Sequence, residues 1–145
     1  MQDRSLSLFR VISTDYSSYL SILFPVVFGV FGTYFFFAGN DSFRLFLPLA
    51  IGVTVVGVPV LIWRYRTIAS VFADGQQTKG VITGIGFFRG RGVVKYSYTF
   101  KGTTQISDNA INRNGRTRKL RVGQKVTVLV DPKNPKRAFI QELYL

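Results

Sequence analysis

Residues 20–38 read LSILFPVVFGVFGTYFFFA, and residues 45–63 read LFLPLAIGVTVVGVPVLIW. Each stretch is 19 residues long and contains no charged side chain. A helix of that length measures about 28 Å, close to the thickness of the hydrocarbon core of a bilayer. A helix also satisfies every backbone N–H and C=O group within its own segment, as a lipid environment requires. The two stretches therefore predict two transmembrane helices, joined into a hairpin by the short polar link at residues 39–44.

Charge divides the chain into two halves. Residues 1–63 contain three basic and three acidic side chains, whereas residues 64–145 contain 16 basic and 4 acidic ones, which accounts for the formal net charge of +12. A neutral apolar half joined to a cationic half indicates a membrane segment followed by a domain that works near polyanions. We expect an N-terminal segment at 1–18, the hairpin at 19–66, a connector at 67–78 and a basic β domain at 79–145.

Several classes of chemistry are excluded by composition. The chain has no cysteine and no histidine. Disulfide scaffolds, zinc sites with thiolate or imidazole ligands, and catalytic triads with a histidine base are therefore excluded. We predict no metal site, no cofactor and no enzymatic activity. The domain's few carboxylates leave two alternatives open, an acid–base pair formed by Asp108 and Asp131 or a Mg²⁺ site.

Basic residues at the outer ends of the hairpin predict its orientation. Arg4 and Arg10 precede the first span, and Arg64 and Arg66 follow the second, whereas the link has one arginine offset by one aspartate. Loops rich in lysine and arginine stay in the cytoplasm, so both termini are predicted to be cytoplasmic. A cleaved signal peptide is disfavoured because the first apolar run is long and aromatic and lacks a small-residue cleavage site.

Alternating patterns after residue 78 predict β-strands. The clearest is at residues 94–100, where Val94, Tyr96, Tyr98 and Phe100 alternate with polar residues. Strands are also predicted at 79–88, 103–111, 126–130 and 138–143, with turns at residues 89–92 and at Lys101-Gly102. Five short strands with hairpin-length links indicate a small antiparallel sheet or a partly open β-barrel. The predicted fold class is thus membrane α+β.

Exposed cations are the candidate binding residues. Residues 113–121, RNGRTRKLR, contain five cations in nine residues, and two more arginines flank the preceding turn at 89–91. Cations near an anionic membrane surface each contribute about 1 kcal/mol, so one interpretation is lipid or partner binding, and the other is a solvated loop. The interleaving of cations with aromatic residues also leaves nucleic-acid binding open, although alternating aromatic residues in a strand more often belong to a core. The candidate lipid- or partner-binding residues are Arg89, Arg91, Arg113, Arg116, Arg118, Lys119 and Arg121.

Residues 126–144, VTVLVDPKNPKRAFIQELY, resemble the end of a bacterial family of small membrane proteins of unknown function. Members of that family combine transmembrane helices with a β domain that ends in a V-x-V-x-Y-D-P-x-N-P-like segment. Lys79-Gly80-Val81-Ile82 and residues 96–102 are similar to two further recurrent pieces, and the resemblance covers about residues 75–145. Val130 stands where the family often has tyrosine. The resemblance implies this architecture in a bacterial inner membrane, and it implies no activity and no catalytic residues.

Together these features predict a non-enzymatic integral membrane protein of the accessory or scaffold kind. Its basic cytoplasmic β domain is expected to dock on anionic lipid or on a membrane protein assembly. An alternative is a transporter or channel component formed by oligomerised hairpins, since the predicted spans contain three prolines and several glycines.

Overall fold

The structure is a computed structural model that describes residues 6–145. It divides into two compact units, one formed by Ser17–Arg64 and the other by residues 6–16 together with Tyr65–Leu145. We call the second unit the β domain. The helices are α1 (Leu8–Thr14), α2 (Tyr16–Phe37), α3 (Phe43–Asp74) and α4 (Gln141–Tyr144), and the strands are β1 (Gln76–Phe88), β2 (Arg91–Phe100), β3 (Thr103–Asn112), β4 (Lys125–Val130) and β5 (Ala138–Ile140).

The first unit is an apolar helical hairpin. Gly39 ends α2 in the left-handed conformation (φ +66°), and the next amide, that of Asn40, donates to the carbonyl of Phe35 at 3.0 Å. This Schellman arrangement needs glycine because a side chain would strain a positive φ. The chain then returns in α3, where the ring of Phe46 packs against that of Phe35 with centroids 5.2 Å apart. The predicted helical hairpin is confirmed.

Both hairpin helices are long and apolar enough to cross a membrane. Their best windows have mean hydropathies of 2.0 and 2.5, and only 6% of each window is buried within the structure. The predicted spans at 20–38 and 45–63 fall almost entirely within α2 and α3.

The second unit is an antiparallel, nearly closed barrel of five described strands in the order β3-β2-β1-β4-β5. A β-bulge between Ile82 and Gly84 interrupts the pairing of β1 with β2. At Gly80 the side chains of the neighbouring strand β4 are so close that an added Cβ would lie 2.6 Å from Cγ2 of Val128. These glycines therefore allow a long, strongly bent strand to pair with both of its neighbours.

Side chains join the two edge strands. The Oγ of Ser107 donates to the carbonyl of Lys136 at 3.2 Å, and the Nδ2 of Asn109 donates to the carbonyl of Ala138 at 3.3 Å. The hydroxyl of Tyr96 reaches the same Ala138 carbonyl at 2.7 Å. These bonds use polar groups that edge strands otherwise leave unpaired, which explains the nearly closed barrel.

The core of the β domain includes helical residues as well as strands. As predicted, Val94, Tyr96, Tyr98 and Phe100 are buried, while Lys95 and Thr99 between them are exposed. Helices pack against this sheet, with edge-to-face contacts from the ring of Tyr144 to those of Phe72 (5.8 Å) and Phe139 (5.9 Å). The helical residues of the core are Val11, Ile68, Val71, Phe72, Leu143 and Tyr144.

Three segments differ from the sequence-based expectation. In the predicted connector, 67–78, the second helix continues to Asp74, slightly past the extension to about Phe72 that the sequence allowed, and β1 begins at Gln76 instead of Lys79. Ile68, Val71 and Phe72 of this segment are buried at helical spacing. The predicted fifth strand stops at Ile140, because residues 141–144 turn into α4 and bury Leu143 and Tyr144. The predicted N-terminal segment contains α1, which packs in the β domain, and its first five residues, with Arg4, lie outside the described residues.

Candidate functional site

All seven candidate cations are exposed, and they occupy two places in the β domain. Arg89 lies in the turn between β1 and β2, Arg91 begins β2, and Arg113 follows β3. The remaining four, Arg116, Arg118, Lys119 and Arg121, lie on the loop between β3 and β4.

Strand pairing brings the first three cations together. Arg91 is opposite Asn112 in the pairing of β2 with β3, and the amide of Arg113 donates to the carbonyl of Gly90 at 2.8 Å. The turn and the end of β3 therefore meet at one end of the sheet. Local spacing alone does not connect Arg113 with the turn, because pairing between distant segments is not readable from it.

Each of these three arginines lies over an aromatic ring. The guanidinium carbon of Arg89 is 5.2 Å from the ring centroid of Phe88. The corresponding distances are 5.3 Å from Arg91 to Tyr16 and 5.9 Å from Arg113 to Phe87. Such contacts are worth about 0.5–1 kcal/mol at exposed sites and hold the charges near the rings. We call this group the basic corner, consisting of Tyr16, Phe87, Phe88, Arg89, Arg91 and Arg113.

A shallow groove of about 360 Å³ opens at the basic corner. Its walls come from β1 and the start of β2, where the ring of Phe87 packs so closely on Gly92 that an added Cβ would lie 2.5 Å from the ring. This volume is at the small end of ligand pockets, and one cation borders an otherwise apolar lining. The lining residues are Gly86, Phe87, Phe88, Arg91, Gly92 and Val93.

The loop between β3 and β4 is folded around a buried threonine. The Oγ1 of Thr117 accepts from the amide of Asn114 at 2.8 Å and donates to the carbonyl of Asn112 at 2.7 Å. The Oδ1 of Asn114 accepts from the amides of Arg116 and Thr117, both at 3.0 Å. These bonds satisfy much of the loop backbone internally. Its four cationic side chains are exposed, and Nη1 of Arg116 donates to the carbonyl of Leu145 at 3.4 Å.

The N-terminal segment is attached to this loop and to the sheet, which the sequence did not reveal. The Nδ2 of Asn114 donates to the carbonyl of Ser13 at 3.0 Å, and Asp15 forms a β-bridge with Ile111. The Oγ1 of Thr14 donates to the carbonyl of Leu143 at 3.3 Å. Val11 and Thr14 are both buried. Their separation of three residues is the only sequence signal for this helix among the described residues, and it is weak.

Of the two carboxylates considered as an acid–base pair, Asp131 has a structural role. Asp131 accepts the amide of Lys133 at 2.9 Å through Oδ1, and its Oδ2 lies 3.5 Å from Nη1 of Arg137. Both oxygens therefore serve the turn between β4 and β5. Asp108 is an exposed residue of β3, opposite Lys95.

Two tyrosines inside the barrel have perturbed acidity. Burial raises the pKa of Tyr96 well above its usual value of about 10, and burial also raises the pKa of Tyr98. Their hydroxyls donate to the carbonyls of Ala138 and Pro135. Because a neutral phenol is a donor and a phenolate is not, both tyrosines are part of the barrel's structure and unsuited to act as bases at neutral pH.

Comparison with known proteins is consistent with the part of the resemblance that concerns a family of unknown function. Neither the curated proteins nor the solved structures include a match to this chain. Residues 72–143, which comprise nearly all of the barrel and α4, match the family DUF3592, described as a domain of unknown function.

Proposed function

We propose that the chain is a two-span integral membrane protein of the accessory or scaffold kind, whose cytoplasmic β domain docks on an anionic membrane surface. It carries out no reaction in this proposal. The observation that carries it is the N-terminal helix α1, which packs into the same barrel that the C-terminal half forms. Both ends of the apolar hairpin therefore return to one domain.

A lipid environment fits the exposed apolar surface of the hairpin. Large apolar side chains of α2 and α3, such as Val30, Tyr34, Ile51 and Val55, are exposed. A soluble protein that buried only 6% of such helices would present a large apolar surface to water, which is strongly unfavourable. A signal peptide is a poorer interpretation, because cleavage after α2 would remove Val11 and Thr14 from the core of the β domain.

The shared domain supports an even number of crossings. If α2 and α3 each cross the bilayer once, the segment before α2 and the barrel after α3 are on the same side. Their contacts, including the bridge of Asp15 to Ile111, require that arrangement. The excess of basic residues in the β domain then favours the cytoplasmic side.

Exposed positive charge favours an anionic partner at the membrane. All seven candidate cations are exposed, and the hairpin keeps the domain at high local concentration near the bilayer. With about 1 kcal/mol for each cation near an anionic surface, a few simultaneous contacts are enough for reversible docking.

The docking can be tested by flotation of vesicles. The full chain is placed in phosphatidylcholine nanodiscs and mixed with larger vesicles, with or without phosphatidylglycerol. A variant with Arg113, Arg116, Arg118, Lys119 and Arg121 changed to Gln should bind the anionic vesicles at least about tenfold more weakly, equivalent to about 1.4 kcal/mol. Its binding should also depend less on salt.

The control variant changes Lys79, Lys95, Lys101, Lys133 and Lys136 to Gln, which removes the same net charge from other exposed positions. It should retain most of the binding. Equal binding by the wild type and the loop variant would contradict the proposal, and equal losses in both variants would reduce it to an effect of net charge.

Affinity purification of the full chain in mild detergent, followed by mass spectrometry, separates the two kinds of anionic surface. A stoichiometric membrane protein would identify docking on an assembly. Recovery of the chain with anionic lipid alone would favour lipid and contradict an accessory subunit.

A groove along the hairpin supports a second candidate function, a hairpin oligomer that forms a transport path. The groove has a volume of about 780 Å³ and is lined by apolar residues and by small ones, including Ser17 and Gly52. Small residues allow helices from another copy to approach closely. Native mass spectrometry in mild detergent tests this candidate, because a monomer would contradict it.

A further inference from the structure

The turn at the basic corner places a cation where the backbone disfavours it. Arg89 and Gly90 have positive φ values of +46° and +87°, and they connect the paired residues Phe88 and Arg91. Two-residue hairpin turns with positive φ at both positions prefer asparagine, aspartate or glycine. Arginine at such a position costs about 1 kcal/mol, so the fold itself does not favour Arg89.

The hairpin at the other end of β2 provides an internal comparison. Lys101 and Gly102 also have positive φ values, and the Nζ of Lys101 lies 5.5 Å from the ring centroid of Phe100. Phe100 is buried in the core, whereas Phe88 is 73% exposed. Two turns of the same backbone kind therefore differ in the exposure of the phenylalanine that precedes them, and only the basic corner presents its ring to the surroundings.

The exposed side of the corner is cationic as well as aromatic. Arg89 lies over the exposed ring of Phe88, Arg113 lies over the neighbouring ring of Phe87, and Arg91 lines the groove beside them. In the strand register, the described carboxylate nearest to the corner is that of Asp15, opposite Ile111, and it is completely buried. An anion would therefore meet three guanidinium groups that offer paired N–H donors to phosphate oxygens.

The position of the corner in the chain selects its occupant. Tyr16, under the guanidinium of Arg91, is the first residue of the apolar helix α2. A tyrosine at the start of a transmembrane helix lies at headgroup depth. Arg91 contacts Tyr16 and is paired with Phe88 across the hairpin, so we expect the turn to lie near the same depth.

We infer that the basic corner is a phospholipid-binding wedge: Phe88 inserts between lipid headgroups, and Arg89, Arg91 and Arg113 bind the phosphate of an anionic phospholipid. The groove beside Phe88 takes the apolar part of that lipid next to its headgroup. The inference rests on the proposed function for the membrane location, but it assigns binding to the corner and not to the loop cations at 116–121. Single-stranded nucleic acid is the competing occupant, since an exposed ring beside arginines can also stack on a base.

Fluorescence of a single tryptophan tests the insertion. Trp63 is the chain's one tryptophan, so Trp63→Phe provides a silent background, to which Phe88→Trp is added. The matched control is Ile106→Trp in β3, whose parent side chain is 71% exposed. Both full-length variants are reconstituted in vesicles of phosphatidylcholine and phosphatidylglycerol that contain lipids brominated near the glycerol.

Tryptophan at position 88 should emit at shorter wavelength than tryptophan at 106, be quenched by the brominated lipid and be several-fold better protected from aqueous acrylamide. Equal acrylamide quenching at the two positions, with no effect of the brominated lipid, would overturn the inference. Stronger binding of a short single-stranded RNA, seen as competition with the lipid quenching of position 88, would also overturn it in favour of nucleic acid.

Charge variants separate this site from the proposed function. In the Phe88→Trp background, Arg89→Gln with Arg91→Gln and Arg113→Gln should abolish the effect of phosphatidylglycerol on quenching, whereas Lys101→Gln at the matched turn should not. Changing Arg116, Arg118, Lys119 and Arg121 to Gln should also leave the quenching intact. If quenching persists while the loop variants retain full vesicle flotation, the proposed role of the loop fails and the corner site stands.

Discussion

The hairpin and the β domain direct their apolar side chains in opposite ways. In the hairpin, residues such as Ile51 face outward, with 67% of that side chain exposed. In the barrel, Ile140 is completely buried in a core shared by strands and helices. One chain thus contains a unit stabilised by its own core and a unit that needs an apolar environment, and substitutions of the same kind should have different effects in each.

The largest expected effect is at the core of the β domain. Ile140→Ala should lower the free energy of unfolding of the domain by about 2–5 kcal/mol, because it removes buried methyl groups and leaves a cavity. Ile51→Ala, the same change on the outward face of the hairpin, should alter it by less than about 0.5 kcal/mol. Pulse proteolysis of the detergent-solubilised chain in urea measures both. Similar losses in the two variants would contradict the comparison.

The next effect concerns helix packing in the hairpin. A Cβ at Gly57 would lie 2.6 Å from the carbonyl oxygen of Ser21, whereas one at Gly52 would meet no described atom within 4 Å. Gly57→Ala should therefore force the helices apart and destabilise the hairpin by about 1–3 kcal/mol.

Gly52→Ala is the matched control, and it should be neutral or slightly stabilising because alanine favours helix. Far-UV circular dichroism during titration with SDS compares the two variants. An equal or greater loss for Gly52→Ala would show that the helices do not pack along the Gly57 face.

The smallest expected effect on stability comes from removing one side-chain hydroxyl hydrogen bond in each unit. The hydroxyl of Tyr96 donates to the carbonyl of Ala138 across the gap between the two edge strands, which we call the barrel seam. In the hairpin, Thr54 donates to the carbonyl of Ala50 in its own helix. Tyr96→Phe should cost about 0.5–1.5 kcal/mol, and Thr54→Val should cost less, because its partner carbonyl keeps its place in the helix. Urea unfolding at neutral pH measures the first and SDS titration the second.

Alkaline pH sharpens the same prediction. Burial raises the pKa of Tyr96 in the folded state above that of the unfolded chain. Its stabilising contribution is complete below the unfolded pKa of about 10 and is lost as the pH rises toward the folded pKa. Stability of the β domain should therefore decrease above about pH 10, and less steeply in Tyr96→Phe. If the free energy of unfolding depended on pH identically in the wild type and in Tyr96→Phe, the burial of the Tyr96 hydroxyl would be contradicted.

Sequence patterns predicted the fold where one pattern, a continuous apolar run or a strict alternation, extends over many residues. The two apolar stretches and the alternation at 94–100 are of this kind, and both were confirmed. A turn was predicted at residues 89–92 from composition, but the structure confines it to Arg89-Gly90, because Arg91 already begins β2. The positive φ values of the turn show why glycine is present. Short elements were missed, because seven residues in α1 and four in α4 contain too few repeats to distinguish a helix from a strand.

The candidate site was only partly predictable. Local clustering identified the seven cations, but the basic corner depends on the pairing of β2 with β3 and on the contact of Arg91 with Tyr16. Tyr16 and Arg91 are distant in sequence, and no local pattern connects them. The barrel seam at Asn109 and Ala138 was missed for the same reason.

Cysteine labelling tests the central claim, that the hairpin crosses the membrane and returns both of its ends to one domain. The chain has no cysteine, so single cysteines at Ser7, Asn40 and Gly115 report without background. In sealed inverted and right-side-out vesicles, a membrane-impermeant maleimide should label positions 7 and 115 from the cytoplasmic side and position 40 from the opposite side. Labelling of positions 40 and 115 from the same side would contradict the two-span account.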